Sequence, residues 1–500
     1  MLSRNLISNL RGIASKAENL TIRAGLDLNP GKVAFVEDTR TYSYGDFMNR
    51  TGQYVNILNN KYGIGKGDRV LARTTKSIDS VALYIACLRL GAIYIPVNPA
   101  YTRNETAHYV KDSAPKLLVT CDEATDLIFR EQIPNVIREQ VLAKETRNKK
   151  PEMEVENVDS DDVACVCYTS GTTGLPKGAM LTHGSLSTNA EALVENWRFT
   201  HDDKLLHTLP FYHVHGMFIS LNCSFFSHST VVWRDKFNVD DALKWMPHCT
   251  VFMGVPTYYT RLLNHPMFTT SAHRAIRLFV SGSAPLSLPM WEQFRSTTGH
   301  TILERYGMTE AQVICSNLYD VDGRKPGSVG KPLRGTKLRI NSTGGIEIQS
   351  DALFAGYWKN PERTKKEFTD DGYFITGDVG EFDNQGFIKI LGRSKDLVIT
   401  GGLNVYPKEI EDVIDKLDEV AESAIIGVPH KEFGEAVVAV IVTKNPVDRE
   451  AFTTKAITHL REQLSGYKVP KKVVFLQSLP RNSMAKVQKN VLREQFKDSF

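Results

Sequence analysis

The chain has 500 residues, too many for one compact core, so its length predicts two or more domains. Hydrophobic residues make up 42% and charged residues 24%, which is ordinary for a globular protein. The formal net charge of +4 is small for this length. It argues against a dedicated nucleic-acid binder, which is usually strongly basic, and leaves room for an anionic small ligand.

The seven cysteines are scattered and form no C-x-x-C pair, so the sequence indicates neither a zinc site nor a disulfide framework. Cys165 and Cys167 alternate within an apolar run and are predicted to be buried thiols on one face of a strand. No uninterrupted run of about 18 apolar residues occurs, so no transmembrane helix is predicted.

The first 20 residues have the composition of a mitochondrial transit peptide. Arg4, Arg11 and Lys16 precede the first acidic residue, Glu18, and the leucines fall near one helical face. Residues 1–20 are therefore predicted to be a leader that directs the protein to the mitochondrial matrix. A short basic leader on a cytoplasmic enzyme is the alternative.

An N-terminal domain is predicted over residues 21–391. Runs such as "KLLVTCD", "VACVCYTS" and "IRLFVSGS" are typical of strands, as is "TILERYG", and helical patterns such as residues 288–298 lie between them. Strands that alternate with helices predict βαβ subdomains with largely parallel sheets. From Gly345 the pattern changes to short β segments separated by turns such as "DNQG", which predicts a small β-barrel-like part.

A domain boundary is predicted at "GRSKD", with a hinge over residues 392–397 and a C-terminal domain over residues 398–500. In that domain "KEIEDVIDKL" has apolar residues at helical spacing, and "AVVAVIVT" is typical of a buried strand. The predicted fold class is α/β, with a large N-terminal domain and a smaller, mobile α+β C-terminal domain.

The stretch "TSGTTGLPKG" indicates a phosphate-binding loop, although it lacks the Walker pattern G-x-x-x-x-G-K-[ST]. Glycines let a backbone approach phosphate oxygens, hydroxyls donate hydrogen bonds to them, and Lys177 adds a positive charge. A strand precedes the loop, and a helix from Ser185 is expected to follow it. On composition alone, a Gly- and Thr-rich surface loop is the alternative.

Five stretches together resemble the adenylate-forming superfamily, which includes acyl-CoA synthetases, firefly luciferase and peptide-synthetase adenylation domains. They are the loop above, "RYGMTE" at 305–310, "TGD" at 376–378, "GRSKDLVITGGLNVYPKEIE" at 392–411 and "LPRNSMAKVQKNVLR" at 479–493. The resemblance implies two half-reactions. A carboxylate attacks the α-phosphate of ATP and releases pyrophosphate, and the thiol of coenzyme A then displaces AMP from the acyl-adenylate.

The resemblance also implies roles for single residues. Thr309 contacts the α-phosphate, Glu310 holds Mg²⁺ and Lys486 promotes adenylation. Lys489 is the alternative lysine, because Ala485 stands where relatives have glycine. Tyr306 stacks on adenine, and Asp378 accepts from the ribose hydroxyls with support from Arg393. The full set implied to bind ATP is Thr169, Ser170, Gly171, Thr172, Thr173, Gly174, Lys177, Tyr306, Gly307, Asp378 and Arg393.

Two further roles follow from the resemblance and concern the second half-reaction. Lys395 takes the hinge position about which the C-terminal domain rotates between the two half-reactions. Gly401 and Gly402 then flank the path of the coenzyme A thiol. ATP, Mg²⁺ and coenzyme A are thus the implied ligands, and the protein is expected to be a monomer or a homodimer.

Three segments that wall the acyl pocket in relatives resemble those of malonyl-CoA synthetases: "LPFYHVHGMF", "FMGVPTYYTRLL" and "RLFVSGSAPLS". Malonate carries a second carboxylate, and burying it unpaired is prohibitive, so the pocket must supply a cation or several donors. Arg277 is the expected bidentate partner. The predicted substrate-binding residues are His213, His215, Lys236, Arg277, Ser281, Gly282 and Ser283.

The predicted activity is therefore ATP-dependent ligation of malonate to coenzyme A. Methylmalonate is expected as a second substrate, because one methyl group gives only about 1–3 kcal/mol of discrimination. A synthetase for a medium-chain or aromatic acid is the nearest alternative. A module that loads a carrier protein and a non-catalytic nucleotide-binding protein are more distant ones, and the retained Lys177, Glu310 and Lys486 speak against the last.

Overall fold

The computed structural model of the chain describes residues 18–122, 129–169, 176–482 and 486–500. Its strands are β1 (Val33–Val36), β2 (Thr41–Ser43), β3 (Arg69–Arg73), β4 (Ile93–Pro96), β5 (Leu117–Thr120), β6 (Asn135–Arg138), β7 (Val163–Thr169), β8 (Lys177–Thr182), β9 (Lys204–His207), β10 (Thr230–Trp233), β11 (Val251–Gly254), β12 (Leu278–Ser281), β13 (Leu303–Met308), β14 (Gln312–Ser316), β15 (Lys331–Pro332), β16 (Thr336–Ile340), β17 (Gly345–Ser350), β18 (Phe374–Phe382), β19 (Ile388–Arg393), β20 (Val398–Thr400), β21 (Leu403–Val405), β22 (Val420–His430), β23 (Gly434–Thr443) and β24 (Lys472–Phe475).

The α-helices are α1 (Leu20–Arg23), α2 (Tyr44–Asn60), α3 (Ile78–Arg89), α4 (Arg103–Ser113), α5 (Glu139–Thr146), α6 (His183–Asn196), α7 (Leu221–Ser227), α8 (Val239–Trp245), α9 (Pro256–Leu263), α10 (Thr270–His273), α11 (Leu288–Thr298), α12 (Pro361–Lys366), α13 (Pro407–Ile414), α14 (Arg449–Gln463) and α15 (Lys489–Phe496). A π-helical stretch spans His215–Ser220. Within the described ranges no helix combines the length and the apolarity needed to cross a bilayer.

Two large sheets form most of the N-terminal part. One has the strand order β6-β5-β3-β4-β7-β8 and is parallel except for its β7–β8 pair. The other has the order β15-β14-β13-β12-β11-β9-β10-β1-β2, parallel from β13 to β1 and antiparallel at both ends. Parallel strands end at the same edge of a sheet. The side chains of the loops that follow these strands therefore lie close together at that edge.

Most of the predicted strands and helices are observed at their predicted positions. β5, β7, β12 and β13 occupy the four predicted runs, and α11 spans the predicted residues 288–298. Cys165 and Cys167 are buried free thiols of β7. The predicted α/β architecture is confirmed, with a large N-terminal domain and a small C-terminal one.

One local prediction needs an addition. The helix expected from Ser185 is present as α6, which begins at His183, but β8 lies between it and the phosphate loop. Ala179 and Leu181 are fully buried and alternate along β8, as a strand requires. Thr182 then caps α6, with its hydroxyl accepting from the amide of Ser185. The loop therefore joins two antiparallel strands, and it has no helix dipole at its end.

The chain passes from one sheet to another at the predicted hinge. β19 ends the antiparallel sheet β16-β17-β18-β19, and β20 belongs to the C-terminal sheet β21-β20-β23-β22, on which β24 pairs with β23. Between them Ser394–Asp396 forms one 3₁₀ turn that contains the exposed Lys395. Rotation about this turn stays a prediction.

The N-terminal boundary needs a correction. Asn19 and Leu20 are fully buried, although the predicted leader included them. The side-chain amide of Asn19 donates to the carbonyl of Leu88 at 2.6 Å, and the amide of Leu20 donates to Nδ1 of His183 at 3.2 Å. Removal of residues 1–20 would open this packing, so a removed leader ends before Asn19. Residues 1–17 lie outside the described ranges.

Candidate active site

Most of the predicted site residues that the structure describes meet at the edge where the parallel strands of the nine-stranded sheet end. β12 and β13 bring the acyl-pocket and adenine motifs side by side, because Val280 pairs with Leu303 and Ser281 with Glu304. β18 and β19 of the antiparallel sheet supply Asp378 and Arg393, which are predicted to bind the ribose. Lys486 reaches the same place from the C-terminal domain.

Asp378 is held as a buried acceptor. Its side chain lies on β18, opposite Arg393 of β19. Tyr306 donates to its Oδ2 at 2.5 Å, and Nε of Arg393 lies 2.9 Å from its Oδ1. Each carboxylate oxygen keeps a lone pair for a further donor, which suits a ribose diol. Burial raises the pKa of the Tyr306 phenol, so this side chain acts as a neutral donor.

Glu310 is the candidate metal ligand and is 5% exposed. Its Oε1 accepts from the hydroxyl of Tyr357 at 2.9 Å and lies 3.5 Å from the hydroxyl of Thr169. Burial raises the pKa of this carboxyl. In the described part of the chain no group of three His, Cys, Asp or Glu side chains could hold a metal. A single carboxylate still fits Mg²⁺, which takes most of its remaining ligands from phosphates and water.

The phosphate loop is described only at its two ends. Ser170, Gly171, Thr172, Thr173 and Gly174 lie outside the described residues. Thr169 ends β7 and pairs with Lys177, the first residue of β8. The Lys177 ammonium lies 3.7 Å from Oε1 of Glu367 and 4.8 Å from the ring centre of Tyr357. Lys177 and Glu310 therefore both contact Tyr357, Lys177 at the ring and Glu310 at the hydroxyl.

Thr309 lies in the turn after β13, next to Glu310. Gly307 permits the strand to bulge there, because a Cβ at this position would lie 1.8 Å from the carbonyl oxygen of Gln312. The glycine thus lets β13 approach β14 closely at the shift in register between Tyr306 and Gly307.

Lys486 is the lysine that reaches the site. The residue is exposed to solvent, but desolvation of its ammonium and the nearby guanidinium of Arg393 lower its pKa to about 8. The alternative, Lys489, lies 2.6 Å from Oε1 of Glu411 and so faces α13 within its own domain. Gly401 and Gly402 form the exposed turn between β20 and β21. Their contact with a thiol stays a prediction, because this arrangement presents Lys486 instead.

Arg305 provides a buried cation that the sequence analysis did not assign. It lies on β13, is 5% exposed, and its Nε and Nη2 have no hydrogen-bond partner among the described residues. Burial lowers the pKa of its guanidinium to about 10. A Cβ on Gly282 would lie 2.3 Å from Nε of Arg305, so only glycine leaves room for this side chain.

Two predicted residues, Gly282 and His215, lie beside the Arg305 guanidinium, whereas Ser281 pairs with Glu304 and points to the other face of the sheet. Nδ1 of His215 lies 3.2 Å from the hydroxyl of Ser283, while Nε2 of His215 and the hydroxyl of Ser281 are buried without a partner in the described ranges. Burial, followed by the charge of Arg305, lowers the pKa of His215, so the ring is neutral. If the Ser283 hydroxyl donates to Nδ1, Nε2 carries the proton and is a free donor. We call Arg305 and His215 the anion pocket.

His213 lies beside this pocket and is neutral as well. Burial, followed by the charges of Lys486 and Arg305, lowers its pKa to about 3. Its Nδ1 accepts from the amide of His215 at 3.3 Å, so it supports the backbone of the π-helical stretch. Lys236 is exposed and lines a separate cavity of about 230 Å³ with Lys76, Tyr212 and other residues. The structure does not bring Lys236 to the anion pocket.

The prediction that Arg277 pairs with the second carboxylate of the substrate is wrong. Its Nε and Nη2 donate to the two carboxylate oxygens of Asp203 at 2.7 and 2.6 Å. It also donates to the carbonyls of Trp197 and Arg198 at 3.2 and 3.0 Å. Arg277 precedes β12, whereas Ser281 ends it, so the strand separates them by about 13 Å. Asp203 and two backbone carbonyls therefore hold the Arg277 guanidinium at the edge where the parallel strands begin, opposite the candidate site.

Comparison with known proteins agrees with this geometry. Residues 23–358 match the model of the AMP-binding enzyme family, and residues 409–486 match that of the AMP-binding enzyme C-terminal domain. The chain is 34% identical to a malonate–CoA ligase of Arabidopsis thaliana, over 93% of this chain and 86% of that protein. It is 32% identical to a mitochondrial malonate–CoA ligase of Mus musculus, over 93% and 88%.

A solved structure shows the same fold. The crystal structure of ATP-bound MatB from Rhodopseudomonas palustris has a TM-score of 0.92 and 43% sequence identity to this chain. The match covers 97% of this chain and 99% of that one, so both domains are included.

Proposed function

Because the chain belongs to the AMP-binding enzyme family, we propose that it activates malonate as an acyl-adenylate and transfers the malonyl group to coenzyme A. The enzyme is an acid–thiol ligase that uses ATP, Mg²⁺ and coenzyme A. The choice of malonate as the acid depends on one observation, the buried and unpartnered guanidinium of Arg305.

A buried cation without a partner is costly, and the cost is recovered when an anion enters. Arg305 offers Nε and Nη2 to such an anion, and these two donors match the two oxygens of a carboxylate. Nε2 of His215 supplies a further hydrogen bond. The anion pocket therefore favours an acid that carries a second carboxylate.

A monocarboxylic acid is disfavoured for the same reason. A medium-chain or aromatic acid would place apolar atoms against Arg305 and leave its donors unpaired. Sites built to bind a polar group reject analogues that lack it by about 10⁴-fold or more. This argument supports malonate over the medium-chain and aromatic alternatives.

Several residues of the chain each have a separate role in adenylation. Asp378 and Arg393 orient the ribose, and the anion pocket holds the far carboxylate of malonate, which leaves the near carboxylate facing the α-phosphate. Lys486 then places positive charge where two anions react, and this charge counts most in the transition state. Glu310 would hold Mg²⁺, which when bound neutralises part of the phosphate charge.

The test of the proposed function is a pyrophosphate-release assay with purified protein, ATP, Mg²⁺ and coenzyme A. The acids are malonate, methylmalonate, succinate, acetate, octanoate and a cinnamate. We expect malonate to give the highest kcat/KM, methylmalonate to follow within about 1–3 kcal/mol, and octanoate to be nearly inert. Preference for octanoate or cinnamate would leave the adenylation chemistry in place and overturn the assignment of malonate.

We also propose that residues 1–18 direct the protein to the mitochondrial matrix. The basic, acid-poor composition of this segment supports the proposal, and the mouse relative is a mitochondrial protein by name. The test compares fluorescent fusions of the full chain and of a chain lacking residues 2–18, which keeps the buried Asn19 and Leu20. Unchanged localisation after this deletion would contradict the proposal.

A further inference from the structure

Tyr357 connects two separate parts of the ATP site, and no motif of the sequence pointed to it. Its backbone is fixed by β8. Ala179 and Tyr357 form an isolated antiparallel bridge, and the amide of Trp358 donates to the carbonyl of Gly178 at 2.7 Å. The amide of Tyr357 also donates to the hydroxyl of Thr364 at 2.9 Å. The side chain therefore projects from a rigid position.

The hydroxyl of Tyr357 controls the orientation of Glu310. It donates to Oε1 at 2.9 Å, and the hydroxyl of Thr169 lies 3.5 Å from the same oxygen. A carboxylate has about four lone-pair positions, so these contacts leave Oε2 as the oxygen that faces a ligand. A hydrogen bond to a charged acceptor of this kind holds one rotamer strongly.

The ring of Tyr357 lies beside Lys177, the first residue of β8. The ammonium of Lys177 lies 4.8 Å from the ring centre, within the range of a cation–π contact. Phe354 also packs against the ring of Tyr357 in an edge-to-face arrangement, with the two ring centres 4.9 Å apart. One side chain thus contacts both the candidate metal ligand and the lysine at the end of the phosphate loop.

We propose that Tyr357 is a positioning residue for Mg²⁺-bound ATP. Its hydroxyl sets the carboxylate of Glu310 for the metal, and its ring sets Lys177 for the phosphates. The inference depends on the proposed role of Glu310 and is independent of which acid is activated. Tyr357 touches neither substrate in this account, so it acts through its two neighbours.

The test uses Tyr357→Phe, which removes only the hydroxyl and keeps the ring beside Lys177. Binding of ATP is measured by calorimetry, once with Mg²⁺ and once with EDTA. Loss of a hydrogen bond to a charged group predicts about 10-fold weaker ATP binding with Mg²⁺. With EDTA the variant and the wild type should bind ATP equally, because the ring and the loop are unchanged.

Tyr42→Phe is the matched control. Tyr42 donates to Oε2 of Glu37 at 3.1 Å, so the variant also removes a phenol–carboxylate hydrogen bond, but on β2. Its ATP binding should equal that of the wild type under both conditions. Equal weakening of Tyr357→Phe with Mg²⁺ and with EDTA would indicate a purely structural role and overturn the proposal, as would no weakening at all.

Glu310→Gln separates this inference from its premise. If Glu310→Gln keeps the full gain in ATP affinity from Mg²⁺, Glu310 is not the metal ligand and both assignments fall. If Glu310→Gln loses the gain and Tyr357→Phe keeps it, Glu310 retains its role and Tyr357 alone is misassigned. Loss of the gain in both variants is the result we expect.

Discussion

Replacing Arg305 by methionine is the most direct test of the anion pocket, because it removes the charge and keeps most of the volume. Moving the pKa of this guanidinium from its usual 12.5 to about 10 corresponds to about 3 kcal/mol of unfavourable burial. The side chain is 5% exposed, so solvent screens little of this cost. A carboxylate bound to Arg305 recovers that free energy, and the methionine variant cannot.

Breaking a buried ion pair typically costs about 3–5 kcal/mol. For Arg305→Met this predicts a fall in kcat/KM for malonate of about 10²- to 10⁴-fold. Acetate lacks the second carboxylate, so its kcat/KM should change by less than about 10-fold. The free protein should not be destabilised, because the variant removes an unpaired buried charge.

The assay is pyrophosphate release with malonate and with acetate, accompanied by thermal unfolding of the free protein. Arg277→Met is the matched control, since it removes a guanidinium of the same size that precedes β12 and lies away from the anion pocket. It should leave the malonate-to-acetate ratio of kcat/KM unchanged. Equal losses for both acids in Arg305→Met, with normal stability, would refute the assignment of Arg305 to the second carboxylate.

The remaining predictions concern Lys486 and Arg277. Lys486→Ala should lower acyl-adenylate formation by at least about 100-fold, while thioester formation from supplied malonyl-AMP stays nearly unchanged; equal falls in both half-reactions would contradict its role. The pKa of Lys486 is lowered to about 8 in the folded protein, so its proton is bound below that pH and lost above it. Adenylation kcat/KM should therefore decline as pH rises through about 8, and Lys486→Arg should show no such decline if the lysine is responsible. Arg277→Met leaves the 3% exposed Asp203 without its partner, and denaturant unfolding should show a loss of about 3–5 kcal/mol; an unchanged midpoint would contradict this account.

The chemistry of this protein was readable from its sequence because the nucleotide-binding groups lie in short, ordered motifs. Tyr306, Glu310, Asp378, Arg393 and Lys486 were each predicted by number, and the structure brings all of them to one edge of the sheet. Strand identity was also predictable, since runs such as β7 and β12 have a local pattern that does not depend on distant contacts.

Only the tertiary structure decided which arginine serves the anion pocket. Arg277 precedes β12, whereas Arg305 lies within β13 of the same sheet, beside Gly282 and His215. Arg277 is saturated by Asp203, which is 74 residues away in the chain. Pairing of this kind depends on which side chains folding brings together, and no local pattern records it.

The same reason explains Tyr357 and the leader boundary. Tyr357 matters because β8 carries it between Glu310 and Lys177, and these contacts join positions that are far apart in sequence. Asn19 and Leu20 resemble the rest of a leader in composition, yet they are buried against α3 and α6. The five motifs, through their resemblance to a known family, thus indicated which chemistry to expect, whereas packing decided which charged side chains are left without a partner.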